Sequence, residues 1–201
     1  MGKSVDRIGR LFVITGPMFA GKTTMLINML SGAVKENKKV VLFKSQVDDR
    51  YSISDVVTHD GLTFSAYLLP TGRECIGRLY EAADKNDVIG IDEGQFWHGT
   101  EGFCDALDRI AFMGKEIYIS LLNRDAMGEP FTVATEIIPK ADGVQVLHSK
   151  CSRCGGKASL TQRVKDGVEQ FGKQMQIGGN DIYEARCRKC FVMPPSPTSR
   201  P

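Results

Sequence analysis

The chain has 201 residues, 42% of them apolar, and a formal net charge of +2. That length suits one medium domain, or one domain with a small appendage, and the apolar content is enough to bury a core. Near-balanced charge gives no electrostatic reason to expect nucleic acid or a membrane as partner. No apolar stretch reaches a membrane span and the N-terminus lacks the apolar core of a signal peptide, so a cytoplasmic location is expected.

In chain order, Leu11-Phe12-Val13-Ile14 is a short apolar run with strand character that stops at Gly16. Gly16-Pro17-Met18-Phe19-Ala20-Gly21-Lys22-Thr23 then fits the phosphate-binding pattern G-x-x-x-x-G-K-[ST]. Its glycines let the backbone curl so that successive N–H groups face phosphate oxygens, and the following helix adds the positive end of its dipole. In such a loop Lys22 reaches the β- and γ-phosphates and the Thr23 hydroxyl joins Mg²⁺. Leu26, Leu30 and Ala33 recur at helical spacing directly afterwards, with Met25 and Met29 read as packing residues. Strand, loop and helix therefore come in the order that a phosphate loop requires.

Val40-Val41-Leu42-Phe43 reads as a second strand, residues 45 to 65 as polar loop, and Glu74 to Lys85 as a helix with Ile76, Leu79 and Ala83 on one face. Val88-Ile89-Gly90-Ile91 is a third strand; Phe103, Leu107 and Ile110 mark another helix. The run from Ile117 to Leu122 is a fourth strand and the run from Val144 to Leu147 a fifth. Cys75 and Cys104 fall in the helical stretches as small buried apolar residues. The alternation predicts an α/β fold of the P-loop, RecA-like kind: a mostly parallel sheet flanked by helices, spanning residues 1–150, with ligands at the carboxyl ends of the strands.

The third strand ends in Asp92-Glu93. A carboxylate at this place binds Mg²⁺, which suits Asp92, and Glu93 is next in line to take a proton from an attacking hydroxyl or from water. The distance along the chain from the glycine loop suggests that the two strands are neighbours. An ATPase that activates water uses the same pair, so the carboxylates alone leave kinase and ATPase open.

Composition changes at Cys151. Cys151-x-x-Cys154 and Cys187-x-x-Cys190 supply four thiolates, the donor set of a closed, structural Zn²⁺ site. Residues 151–191 are expected to form a small zinc-ribbon domain from which a loop protrudes between the pairs, and residues 192–201, with four of the chain's eight prolines, a disordered tail. Pinned at both ends by metal, the loop around Gly178-Gly179 and Tyr183 has the properties of a lid, or of a surface hairpin.

Taken together, the residues resemble the thymidine kinases of the tetrameric, zinc-containing type. The resemblance is carried by Gly16 to Thr23, Asp48-Asp49-Arg50-Tyr51, Thr58-His59-Asp60, Asp92-Glu93-Gly94-Gln95-Phe96, Pro130-Phe131, the four cysteines, and Gly178-Gly179 followed by Tyr183. It implies transfer of the ATP γ-phosphoryl group to the 5′-hydroxyl of thymidine or deoxyuridine in pyrimidine deoxynucleotide salvage. It implies Glu93 as base, Lys22 and Arg50 as charge-neutralising groups, and Thr23 with Asp92 on Mg²⁺. Gly16 to Thr23, Thr24, Asp92 and Gln95 would hold ATP. Met18, Asp48, Phe96, Leu122, Phe131, Thr161, Gln176, Ile177, Gly178 and Tyr183 would hold the nucleoside, with a lasso-like loop reading the base through its backbone. A homotetramer inhibited by dTTP is also implied. Asn123 and Ala126 depart from the family, where Asp and Phe are common, and Trp97 stands where Phe is usual; these touch fine specificity, not the reaction. A water-using ATPase and a nucleic-acid-binding zinc ribbon remain as competing readings.

Overall fold

Alternation of side chains along the strands decides which helix each strand meets. The computed structural model describes residues 8–45, 56–57, 63–172 and 182–195. In chain order the elements are β1 (Arg10–Thr15), α1 (Lys22–Lys35), β2 (Val40–Ser45), β3 (Val56–Val57), β4 (Thr63–Phe64), β5 (Ala66–Leu69), α2 (Arg73–Lys85) and β6 (Val88–Ile91). A 3-10 turn (Gly94–Trp97), α3 (Phe103–Phe112), β7 (Glu116–Leu121), α4 (Thr132–Ile137) and β8 (Gly143–Val146) follow. The C-terminal part holds β9 (Ser149–Lys150), β10 (Lys157–Ala158), β11 (Leu160–Lys165), β12 (Val168–Glu169) and β13 (Tyr183–Arg186).

Six strands form one sheet in the order β5-β2-β6-β7-β1-β8, and every pairing in it is parallel. On one face Leu11, Val13, Val41, Phe43, Ile89, Ile91, Ile117 and Ile119 pack with the apolar stripes of α2, α3 and α4. On the other, Ile14, Leu42, Val88 and Tyr118 meet Leu26, Leu30 and Ala33 of α1. Two-residue periodicity in the strands and 3.6-residue periodicity in the helices thus meet at both faces. Each fully buried leucine here contributes about 1.5–3 kcal/mol of transfer free energy. Gly90 makes room for α1: a Cβ there would lie 2.6 Å from Leu30 Cδ1 and 3.1 Å from Leu42 Cδ1.

Four features differ from the sequence reading. The strands carrying the glycine loop and the acidic pair are not neighbours, because β7 lies between β1 and β6. Such strand order is set by long-range packing, which spacing along the chain does not encode. A further strand, β5, pairs with β2 at the sheet edge. A two-residue ladder, β3 with β4, lies within the stretch read as loop. The short helix α4, six residues long, is the fourth, too brief to show a period in the sequence. The edge strand β8 is covered least, with Val144 and Val146 exposed.

The C-terminal part forms a pair, β9 with β10, and a three-stranded antiparallel sheet, β12-β11-β13. The Val192 amide donates to Gln162 Oε1 at 2.8 Å, so the chain stays tied to this module just past the last cysteine. Among the described residues no helix is long and apolar enough to cross a membrane.

Candidate active site and metal centre

The glycine loop turns sharply because the edge strand presses on it. Gly16 has φ of 147°, and a Cβ there would meet the Leu147 carbonyl oxygen at 2.4 Å. The Leu147 amide in turn donates to the Thr15 carbonyl at 2.7 Å. Gly21 adopts φ of 80° just before α1, with open space around it, so its conformation rather than crowding calls for glycine. Phe19, at the exposed tip, is also left-handed at φ of 62°. Gly16, Pro17 and Lys22 are buried, Met18 and Ala20 half-buried, and Thr24 exposed on the first turn of α1. Lys22 Nζ donates to the Pro17 carbonyl at 2.9 Å, folding its ammonium back over the loop.

Across β7, the buried Asp92 carboxylate is met by three donors. The Thr23 hydroxyl lies 3.1 and 3.0 Å from its two oxygens, the Glu93 amide donates to Oδ1 at 3.1 Å, and the Ser120 hydroxyl donates to the same oxygen. Burial, reinforced by the neighbouring Glu93 charge, pushes the Asp92 carboxyl above the ordinary range, while the Ser120, Lys44 and Thr23 contacts pull the other way. A hydroxyl and a carboxylate together at the start of α1 make a set of hard oxygen donors that fits Mg²⁺. The structure thus brings Thr23 and Asp92 together as the sequence reading required. The sequence signal for Ser120 is slight, a hydroxyl near the end of an otherwise largely apolar strand.

Glu93 follows in a left-handed conformation, φ 56° and ψ 45°. The next turn is packed on β7, since a Cβ at Gly94 would lie 2.6 Å from Ile119 Cδ1. Gln95 Nε2 donates to the Glu93 carboxylate, and Gln95 Oε1 accepts from the Leu122 amide. Trp97 anchors the end of the turn through Nε1 to the Pro70 carbonyl at 3.0 Å and stacks on Phe103 with ring centroids 5.3 Å apart. Leu122 and Phe131 fall in one apolar cluster, and Phe96 is buried. Between them a tight reversal is held by Asp125, whose Oδ1 accepts from the Met127 and Glu129 amides at 2.8 and 2.9 Å. Ala126 is buried within that reversal.

The C-terminal module reaches the glycine loop directly: the Met18 amide donates to Thr161 Oγ1 at 3.0 Å. Arg163 pairs with Tyr183 in the β11–β13 register, two residues on from Thr161 and on the same face, and its guanidinium lies over the tyrosine ring at 5.6 Å. Asp48, Arg50, His59, Gln176, Ile177, Gly178 and Gly179 lie outside the described residues.

Cys151, Cys154, Cys187 and Cys190 converge with all four sulfurs within 4.8 Å of one another. The Cys154 and Cys187 sulfurs are 3.6 Å apart. Tetrahedral Zn²⁺ with bonds of about 2.3 Å sets its sulfurs roughly 3.8 Å apart, so the cluster fits zinc and, with four protein ligands, fits a structural site. Burial tends to raise the Cys151 thiol, yet the amides of Cys187, Cys154 and Arg153 draw it down to about 6. Cys75 and Cys104, by contrast, are pushed up to about 12 by burial, which fits small core residues and not nucleophiles.

A model of the thymidine kinase family matches residues 9–191. The chain is 40% identical over 190 residues to the thymidine kinase of Thermococcus kodakarensis, covering 92% of this chain and 95% of that protein. It is 38% identical over 187 residues to the thymidine kinase of Pyrobaculum aerophilum, covering 92% of this chain and all of that one (100%). With the thymidine kinase of Mycoplasma capricolum it shares 34% identity over 194 residues, 94% of this chain and 91% of that one.

Proposed function

The chain belongs to the thymidine kinase family, and on that premise we propose that it transfers the γ-phosphoryl group of ATP to the 5′-hydroxyl of thymidine or deoxyuridine. The family match over residues 9–191 is what favours a nucleoside over water as acceptor, and the structural observation beside it is the meeting of Thr23 and Asp92 next to the glycine loop, with Glu93 next in the chain. Phosphoryl transfer asks the protein for positioning and charge neutralisation more than for covalent chemistry. The loop amides and the N-terminus of α1 receive the phosphate oxygens, and Lys22 swings from the Pro17 carbonyl to the β- and γ-phosphates. Thr23 and Asp92 hold Mg²⁺, which supplies positive charge to the triphosphate.

In the transfer, the nucleoside 5′-oxygen forms a bond to the γ-phosphorus as the bond to the bridging oxygen breaks. ADP leaves, and Glu93 takes the hydroxyl proton. Arg50 neutralises charge near the reacting hydroxyl. Met18, Phe96, Leu122, Phe131 and Tyr183 form the base pocket, joined by Thr161 and Asp48. Gln176, Ile177 and Gly178, which lie outside the described residues, complete the set assigned to the nucleoside on the family pattern. Residues 1–150 serve as the nucleotide-binding domain and residues 151–191, whose four cysteines would hold Zn²⁺, as a second, smaller domain that meets the glycine loop through Thr161. The working form is a cytoplasmic homotetramer inhibited by dTTP.

Glu93→Gln tests the base assignment. Turnover, followed as transfer of labelled phosphate to thymidine, should fall by roughly 10²–10⁴-fold, while ATP binding by calorimetry is retained. Comparable rates in variant and parent would contradict the role given to Glu93.

A further inference from the structure

We propose that Gln95 is a positioning residue that holds the Glu93 carboxylate against the end of β7; this rests on the reading of Glu93 as the base. Gln95 is 2% exposed, and both ends of its amide are engaged. Nε2 donates to Glu93 Oε2 at 2.5 Å, and Oε1 accepts from the Leu122 amide at 2.9 Å. The two partners fix the orientation of the amide. Reversing it would set oxygen against carboxylate and N–H against N–H, losing both bonds.

The mounting is rigid at each side. Glu93 and Gln95 flank Gly94, whose Cα is held so close to β7 that a Cβ would strike Ile119. The Phe96 amide returns to the Glu93 carbonyl at 3.0 Å and the His98 amide to the Gln95 carbonyl at 3.2 Å. Leu122 is the residue immediately after β7, the strand whose Ser120 holds Asp92. One strand therefore disciplines both carboxylates, the first directly and the second through Gln95. Without the amide donor, Glu93 stands beside a like-charged Asp92 on a left-handed backbone with less to choose its rotamer. A general base works only when held within hydrogen-bond reach of the proton it takes. Gln95 supplies that hold, and it ties the base to Leu122 in the wall of the nucleoside pocket.

The test is a double-mutant cycle between Gln95→Met and Glu93→Gln, each measured for kcat and for both KM values, with ATP binding by calorimetry and thermal melting as controls. Gln95→Met alone should lower kcat by about 10–10²-fold, the scale of a misplaced catalytic group. The KM for thymidine should stay within about threefold of the parent, while any shift in the KM or dissociation constant for ATP reads the ATP contact that the family resemblance assigns to Gln95. In the Glu93→Gln background the same change should cost less than about threefold, because there is no base left to position. A parental kcat in Gln95→Met, an equal loss in both backgrounds, or a loss confined to the KM for ATP overturns the proposal. Parental turnover in Glu93→Gln alone sinks the base assignment and this proposal with it. Additive losses with an impaired Glu93→Gln sink only this one. Should Gln95→Met melt early, Gln95→Asn, a neutral amide one methylene too short to span both Glu93 and the Leu122 amide, carries the same comparisons.

Discussion

Replacing Gly16 with alanine should damage the nucleotide site through the edge strand. The added Cβ would lie 2.4 Å from the Leu147 carbonyl oxygen, a backbone atom that cannot rotate away. An ordinary carbon–oxygen contact is about 3.3–3.6 Å, so loop and strand must part by roughly 1 Å. Residue 16 also sits at φ of 147°, where an L side chain is strained. Strain of about 1–3 kcal/mol adds to an overpacking cost of about 1–3 kcal/mol. At roughly 2–4 °C per kcal/mol for a chain this long, the melting temperature should drop by about 5–20 °C. In the folded fraction, a 1 Å displacement of the phosphate-binding amides should lower kcat/KM for ATP by on the order of 10²-fold. Circular dichroism melts and steady-state kinetics below the transition measure the two effects separately. A variant that melts within 2 °C of the parent, about the effect of a single kcal/mol, and uses ATP equally well would refute the claim that β8 braces the loop.

Asp92→Asn should abolish phosphoryl transfer yet stabilise the metal-free protein. The folded-state pKa of Asp92 is raised by burial and by Glu93, so its favourable contribution is present below the unfolded value of about 4 and is lost as pH rises through the folded value. The variant's melting advantage should therefore open above roughly pH 4 and vanish below it; a pH-independent difference would count against this origin. Thr161→Val leaves the Met18 amide without its acceptor, at a cost of about 1–3 kcal/mol, or a 5–150-fold drop in kcat/KM for ATP; unchanged kinetics would disconnect the module from the loop. Treatment with a strong chelator should make the four clustered thiols reactive to a disulfide reagent and raise the KM for ATP, while Cys75 and Cys104 stay unlabelled until the protein unfolds. Early labelling of either core thiol, or unaltered kinetics after verified metal loss, would oppose that expectation.

What could be read in the chain beforehand is what contiguous residues carry. The glycine loop, the Asp92-Glu93 step and the Cys-x-x-Cys pairs each place their chemistry within a few residues, and the structure brings the members of each group together. The unread features depend on distant partners. Nothing local tells that β7 enters between β1 and β6, because that order is settled by side chains on both faces of the sheet. β5 is four residues long with Tyr67 largely exposed, and α4 is six residues long, so neither develops a clear period. Ser120 looks like an ordinary strand residue until the carboxylate it holds is placed beside it, and Gln95, legible in the sequence as part of Asp92-Glu93-Gly94-Gln95-Phe96 and assigned there to ATP, shows its bond to Glu93 only in the fold.

The insertion of β1 between β7 and β8 has a consequence for biosynthesis. The glycine loop leaves the ribosome well before its partners: Leu147 sits against Gly16, and Thr161, which accepts the Met18 amide, lies 143 residues further along the chain. At ordinary translation speed these partners arrive on the order of ten seconds later. A nascent chain halted before residue 143 exposes its nucleotide loop without the strand that shapes it. Competence to grip a triphosphate is therefore acquired only once residue 161 has been made, well after the residues that do the gripping.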